Sequence, residues 1–427
     1  MVSSGRADAP AAHNATRLVS LVIATTAQSG VTVAQQGVVV VGIFFVIAYH
    51  LTLAQMGGVV SLVSVGWMIS ALFTGMLMDA FGPRVVQFCG ALLMSASALL
   101  ISYVHSLPVI CVMLVVMGLG VSVTSLAGTV TVISLWPREE RGLPLGVRQM
   151  GVPLGAMIAS FILPSLATAF GLSILFRIFA VMLLVLGVGF SLSLPHHVPI
   201  AANQRRQASV GASLLLSLRE MRHIVFPAAT GFLLAFGQYT LLSITIPMLH
   251  AEGALSVAVA GFVLAVAQIG GGIARIGLGA FTDRSGGRIN LPLMACALVG
   301  AALALVVGLA PLRLPVVALV VLWLFLGMAM VGWNALIVMW ASERVREQNS
   351  GAAVGLTTSF ILFGGILAPP FMGGIIQTTS SYGSAWLTLA GILLLAGGVI
   401  WWGFRHQGAE ATTISPERLA IAEAEGL

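Results

Sequence analysis

The sequence predicts an all-α membrane protein with twelve transmembrane helices in two related six-helix bundles. Three observations carry this. Hydrophobic residues make up 59% of the 427 positions and charged residues only 7%. A soluble domain carries about 25% charged residues, so lipid must cover most of this surface. The few charges fall between long apolar runs. The second half of the chain then repeats landmarks of the first.

The apolar runs come in order. No Asp, Glu or Arg lies between Arg17 and Asp79, between Arg84 and Arg138, or between Glu347 and Arg405. Each interval holds two spans of about 20 residues. The rest divides likewise into Gly142–Pro195, His223–Thr282 and Ile289–Ser342. Bends are expected near His50, His105, Ala169-Phe-Gly, His250, Pro311–Pro315 and Thr378–Ser381, all poor in charge. Every basic residue is Arg, and the connections between hairpins carry Arg84, Arg138, Arg141, Arg205, Arg206, Arg219, Arg222, Arg284, Arg288, Arg344 and Arg346. Only Arg313 clearly belongs to the other side. The positive-inside rule therefore predicts that both termini are cytoplasmic in a multi-pass protein of the cell (inner) membrane, with Trp401 and Trp402 as interfacial anchors. The expected units are a tail (1–17), a bundle (18–195), a linker (196–222), a second bundle (223–404) and a tail (405–427). The linker's SLLLSLREMRH end is expected to form a short interfacial helix. The first apolar run is too long for a signal peptide and is expected to be a retained helix.

Composition excludes other classes. The net charge of +6 is not gathered into a basic, aromatic-interleaved patch, so no nucleic-acid partner is expected. Cys89, Cys111 and Cys296 lie inside apolar runs and read as packing residues. No nucleotide loop, metal set or nucleophile constellation occurs, so neither an enzyme nor a cofactor is expected.

At an offset of 204, Gly75, Asp79, Gly82, Arg84, Trp136 and Glu139 recur as Gly279, Asp283, Gly286, Arg288, Trp340 and Glu343. At 209, Gly142, Gly146 and Gly155 recur as Gly351, Gly355 and Gly364. Parallel repeats of this kind occur in one large group of transporters. GMLMDAFGPR and GAFTDRSGGR resemble the doubled G-x-x-x-D-x-x-G-x-R signature of the major facilitator superfamily, with Ala80 in place of the usual Arg. GVPLGAMIASFILP, from Gly151, resembles the fifth helix of many members. The resemblance spans Arg17 to Arg405. It implies alternating access to a midplane site lined by helices 1, 4, 7 and 10.

At the cytoplasmic edge, Asp79 with Arg84 and Asp283 with Arg288 are expected to hold the bundles together while that side is closed. Gly75 and Gly279 are expected to let helices approach closely. A turn motif that only sets topology is the alternative.

Arg275 interrupts an otherwise apolar stretch eight residues before Asp283, about 12 Å along a helix. An Arg near the bilayer centre costs at least about 2.5–3.5 kcal/mol on an insertion scale, so it should face the bundle interior and meet an anion. The only carboxylates on the spans are Asp79 and Asp283, at helix ends, with Glu252 at a turn. A buried Arg without a carboxylate fits a site that an anionic ligand completes. R-x-x-x-G-x-x-x-D also resembles helix 8 of oxalate/formate antiporters and monocarboxylate transporters, whose Arg meets the substrate carboxylate. Helix 11 here, GLTTSFILFGG, lacks the cation some of them carry. Arg148, about 10 Å beyond Arg141 along helix 5, is the candidate second cation; bonding to helix-end carbonyls is its alternative. Arg177 reads as interfacial or structural, as do His50 and His250.

Gln28, Thr32 and Gln35 share a face of helix 1. Gln238, Tyr239, Thr240 and Ser243 lie on helix 7, Thr124, Ser125 and Thr129 on helix 4, and Trp333 and Asn334 on helix 10. These groups can bind a polar substrate, with Tyr239 or Trp333 covering an apolar part, or bond helices to one another. The expected function is a secondary active transporter for a small organic anion, a carboxylate. Its expected partners are that anion, the lipid bilayer and an exchanged anion or a proton, and it is expected to act as a monomer. Efflux of amphiphilic drugs or metabolites, and a transporter-like sensor without turnover, stay open.

Overall fold

The computed structural model describes residues 8–136, 142–194, 210–285, 288–309, 314–345 and 350–412, and every regular element among them is a helix. The first span is α1 (Asp8–Val40) continued by α2 (Gly42–Tyr49). Then come α3 (Leu53–Phe81), α4 (Pro83–Ile101) and α5 (Leu107–Leu135). The fifth and sixth spans are α6 (Gly142–Gln149) and α7 (Gly151–Ser193). The second half holds α8 (Val210–Ala251), α9 (Val257–Arg284), α10 (Asn290–Leu309), α11 (Val316–Val331) with α12 (Asn334–Glu343), α13 (Ser350–Thr379) and α14 (Tyr382–Thr412).

Eleven stretches are long and apolar enough to cross a membrane, one of them the 48-residue Gly146–Ser193. That stretch is two crossings, because Gly171 inside α7 has φ 75° and ψ 174° and turns the chain where Ala169-Phe-Gly was expected to. The left-handed region is open to glycine at no steric cost. Other hairpins turn on non-glycine residues in that region: His50, Ala254 and Ser380, each at φ 52°. Thr52 opens α3 with a reciprocal box. Its hydroxyl accepts from the Gln55 amide at 3.2 Å, and the Gln55 side chain accepts from the Thr52 amide at 2.9 Å.

Within the first bundle α1 packs on α7, α3 on α5, and α4 on α5 and α7. Within the second, α8 packs on α13, α9 on α11, and α10 on α14. Each bundle has its own core. Phe45, Phe176 and Phe179 anchor the first; Trp323, Trp333, Trp340 and Trp386 anchor the second. The bundles meet along two main seams, α3 with α13 and α7 with α9.

The seams are tight at the end where the hairpins turn. A Cβ on Gly57 of α3 would overlap the backbone of Pro369 and Pro370 in α13. One on Gly261 of α9 would stand 2.6 Å from the Ser160 carbonyl and 2.7 Å from Pro164 in α7. Phe161 and Phe262 meet edge to face beside it, 6.1 Å apart. At the linker end contact fades: nothing lies within 4 Å of a Cβ on Gly277 or Gly279, and for Gly75 only Leu126 comes as near as 4.0 Å. The expectation of close helix approach at Gly75 and Gly279 is therefore corrected for this conformation. Gly66, Gly118, Gly270 and Gly327 make the close approaches instead.

A second correction concerns the linker. The expected separate interfacial helix is the start of α8, a 42-residue helix continuous with the seventh span. No Gly or Pro between Gly211 and Pro227 interrupts it. At 1.5 Å per residue it is about 63 Å long, twice the hydrocarbon thickness.

Candidate functional site

Arg275 lies on the unbroken α9, two turns before Asp283, and is half-buried. Its Nε donates to the Val331 carbonyl at 3.3 Å. Val331 closes α11, and the tenth span breaks at Gly332 and Trp333 before α12 resumes. A helix-end carbonyl lacks an intrahelical partner and carries partial negative charge, which suits a guanidinium. Asn334 shares the acceptor at 3.4 Å, and its amide also donates to Gln238 Oε1 at 2.9 Å. One network thus ties α8, α9 and both parts of the tenth span.

Arg148 is the corresponding cation of the first bundle. It occupies the last turn of α6 and is 2% exposed. Its Nη1 donates to the Ser125 carbonyl at 3.2 Å and reaches Gln28 Oε1 at 3.5 Å, while its buried Nε has no acceptor. Gly128 makes room for it: a Cβ there would stand 3.0 Å from Arg148 Cδ. Gly151 and Gly155 let α7 close on Gln28 and Thr32 of α1. Gln28 donates to Thr32 Oγ1 at 3.4 Å, and Thr32 to the Gln28 carbonyl at 2.9 Å. Among the described residues, neither Arg148 nor Arg275 is paired with a carboxylate.

The other expected residues separate. Gln28, Thr32, Gln238 and Asn334 join the two arginine networks. Gln35 is buried, and its amide nitrogen has no partner. Tyr239 is buried, its ring in the space left by Gly365. Trp333 is 0% exposed and its indole donates to the Met330 carbonyl at 2.8 Å, so it packs the second core and offers no ring face in this conformation. Thr124 accepts from Gln87 at 3.2 Å. Arg177 lies over the Tyr103 ring at 4.8 Å, as a structural charge would. The side chains of Asp79 and Asp283 lie outside the described residues. Arg288 is exposed, and the Arg84 carbonyl accepts from Ser191 at 2.9 Å.

Sequence reasoning missed Gln268. It is 2% exposed with a partnerless amide nitrogen, two turns before Arg275 on α9. The signal available was an amide seven residues from an out-of-place arginine. Among the described residues no three of His, Cys, Asp and Glu come together in a metal-binding arrangement. An open groove of about 710 Å³ on the α7–α9 seam is lined by apolar groups such as Phe161, Phe170 and Phe262 and holds no arginine, so it is distinct from this site.

A model of the Major Facilitator Superfamily matches residues 21–369. An uncharacterized MFS-type transporter of Mycobacterium tuberculosis is 27% identical over 351 residues, covering 81% of this chain and 75% of that one. The hexuronate transporter of Bacillus subtilis is 24% identical over 362 residues, covering 81% and 85%. The crystal structure of a bacterial homolog of the human lysosomal transporter Spinster superposes with a TM-score of 0.74 at 15% identity, covering 91% of this chain and 97% of that one.

Proposed function

The chain belongs to the Major Facilitator Superfamily, and from that premise we propose that this secondary transporter carries a small organic anion, a carboxylate, with Arg275 as its leading contact and Arg148 as a second cation. The carrying observation is that, among the described residues, the buried Arg148 and the half-buried Arg275 are held in the spans by neutral acceptors alone. A buried charge is stable only when paired and hydrogen-bonded. Carbonyl contacts position each guanidinium, and a carboxylate supplies the opposite charge in bidentate geometry. The relative named for hexuronate supports the reading, since a hexuronate is a carboxylate.

The two bundles rock about this site. Seams tight at the hairpin end, with little against Gly75, Gly277 and Gly279 at the linker end, support one state of that cycle. With arginine-rich connections in the cytoplasm, it is the state open to the cytoplasm. Asp79, Arg84, Asp283 and Arg288 then latch the linker end when it closes. An anion moving alone is driven out of a negative-inside cell by about 2.3 kcal/mol per charge at 100 mV, so uptake proceeds with an exchanged anion or a proton.

A thermal-stability screen of the purified protein against small anions tests this. A carboxylate at 100 times its dissociation constant stabilises by about 2.7 kcal/mol. That gain should vanish in Arg275→Ala. Equal stabilisation of the variant at unchanged affinity would remove Arg275 from the site.

A further inference from the structure

Most polar groups inside the two bundles have settled partners. Trp323 donates to Thr245 at 3.0 Å, Ser95 to the Ala180 carbonyl at 2.8 Å, and Ser70 shares a bond with Ser122 at 2.7 Å. Among the described residues ten buried side-chain atoms have no partner, Thr230, Thr240, Thr357 and Trp340 among their owners, and three glutamines stand out because, unlike Gln87, their amides make no hydrogen bond at all. The amide nitrogens of Gln35 and Gln268 and the amide oxygen of Gln36 are buried without any partner, in side chains 6%, 2% and 5% exposed. An unsatisfied buried polar group costs about 1–3 kcal/mol. Packing alone would favour an apolar residue at each position.

Their level follows from α7, which touches both α1 and α9. Gly155 of α7 meets Ser29 and Thr32 of α1; across the seam, Gly272 of α9 comes nearest Pro153 at 3.9 Å, and Gly261 meets Ser160 and Pro164. Gln35 is one turn beyond Thr32, and Gln268 is one turn before Gly272. Both amides therefore stand alongside the Ala156–Ser160 stretch of α7. Arg148, bonded to Gln28, and Arg275, one turn past Gly272, stand about two turns, or ~10 Å, nearer the linker end. The site has a cationic tier and, deeper, an amide tier.

We propose that the cargo is a hydroxylated carboxylate, its carboxylate on the arginine tier and its hydroxyls on Gln268 and Gln35, with Gln268 determining specificity. The proposal rests on the anion reading and deepens it. A hydroxyl is donor and acceptor at once, and so is an amide side chain, so each can satisfy the other in either orientation. A bare alkanoate would leave the amides unpaired; sites built to bond a hydroxyl reject analogues that lack it. A zwitterion fits less well, because its ammonium would need an acidic partner and the spans offer only Asp79, Asp283 and Glu343, all at helix ends.

The test measures binding of glucuronate, gluconate, hexanoate and neutral glucose to the full-length protein and to Gln268→Met, Gln35→Met and Arg275→Gln. Methionine keeps the length and removes the hydrogen bonds. Glucuronate or gluconate should bind at least about tenfold tighter than hexanoate, and either Met variant should erase about that factor while leaving hexanoate unchanged. Two variants on different helices keep the test decisive should one fail to fold. Equal affinity for hexanoate and glucuronate, or Met variants that bind all anions as the parent does, overturns the hydroxyl assignment, while the anion reading stands if Arg275→Gln still weakens every anion. Glucose binding as tightly as glucuronate, or an Arg275→Gln protein with unchanged glucuronate affinity, overturns the anion reading and this inference with it.

Discussion

Arg148 shows how a single side chain separates structure from function. It is buried, yet its acceptors are a mid-helix carbonyl and a glutamine at the edge of bonding distance. Replacing a buried charge with an apolar residue of similar volume is often neutral or stabilising, whereas a structural charge costs about 3–5 kcal/mol when its partner is stranded. Arg148→Met should therefore melt at or above the parent temperature in calorimetry while losing anion affinity. A large drop in melting temperature would mark Arg148 as structural. Gly128 gives an independent handle, because a side chain there meets the Arg148 stem at 3.0 Å. Gly128→Val should lower carboxylate affinity several-fold in titration calorimetry with every charge in place. At this scale the sequence was uneven. Arg275 and Arg148 stood out against an apolar background. Gln268 did not, because what distinguishes it from a bonded glutamine is the absence of a partner, which only packing decides. Trp333 misled for the opposite reason: an amphipathic ring at a cavity-facing height turned out to be wholly enclosed.

Among elements, the seams carry the repeat further than the sequence motifs did. Gly57 and Gly261 stand at the same 204-residue offset as the signature, and each closes one seam at the hairpin end, α3 on α13 and α9 on α7. A leucine at either position has no room against backbone. Gly57→Leu and Gly261→Leu should each favour the state open at the hairpin end, read as longer spin-label distances across that end, and slow turnover about tenfold or more. Unchanged distances would show that the seams yield without cost. Span number and order were legible because charge marks every connection. The breaks at Val41 and at Gly332 were not, since neither holds a proline and both sit in unbroken apolar runs. The length of α8 was hidden by its polar beginning and by Pro227, which the helix passes through.

At the scale of the molecule, the described helices form two bundles joined by uneven seams. Its orientation is a matter of charge: arginines crowd the end that carries the linker, and the hairpin turns are nearly bare. A cysteine introduced at Ala254 or Ser380 should react with a membrane-impermeant maleimide added outside intact cells, and one at Ala201 only after permeabilisation. The reverse pattern would turn the carrier over and put the tightly packed hairpin seams at the inner face. The two-bundle plan was legible because Asp, Trp, Glu and Arg recur together at one spacing. Which end packs most tightly was not, because the close approaches at Gly57 and Gly261 depend on how the helices dock and not on local pattern.

The matched positions of Gly57 and Gly261 have a consequence for origin and for design. Two identical copies of either half, set about the same twofold axis, would be shut along both seams by one residue used twice. A six-helix homodimer built this way needs no invention at its interface, only a side chain that is missing in the right place. In a single chain the two seams need not stay alike, and Arg148 and Arg275 do not stand at the repeat's offset.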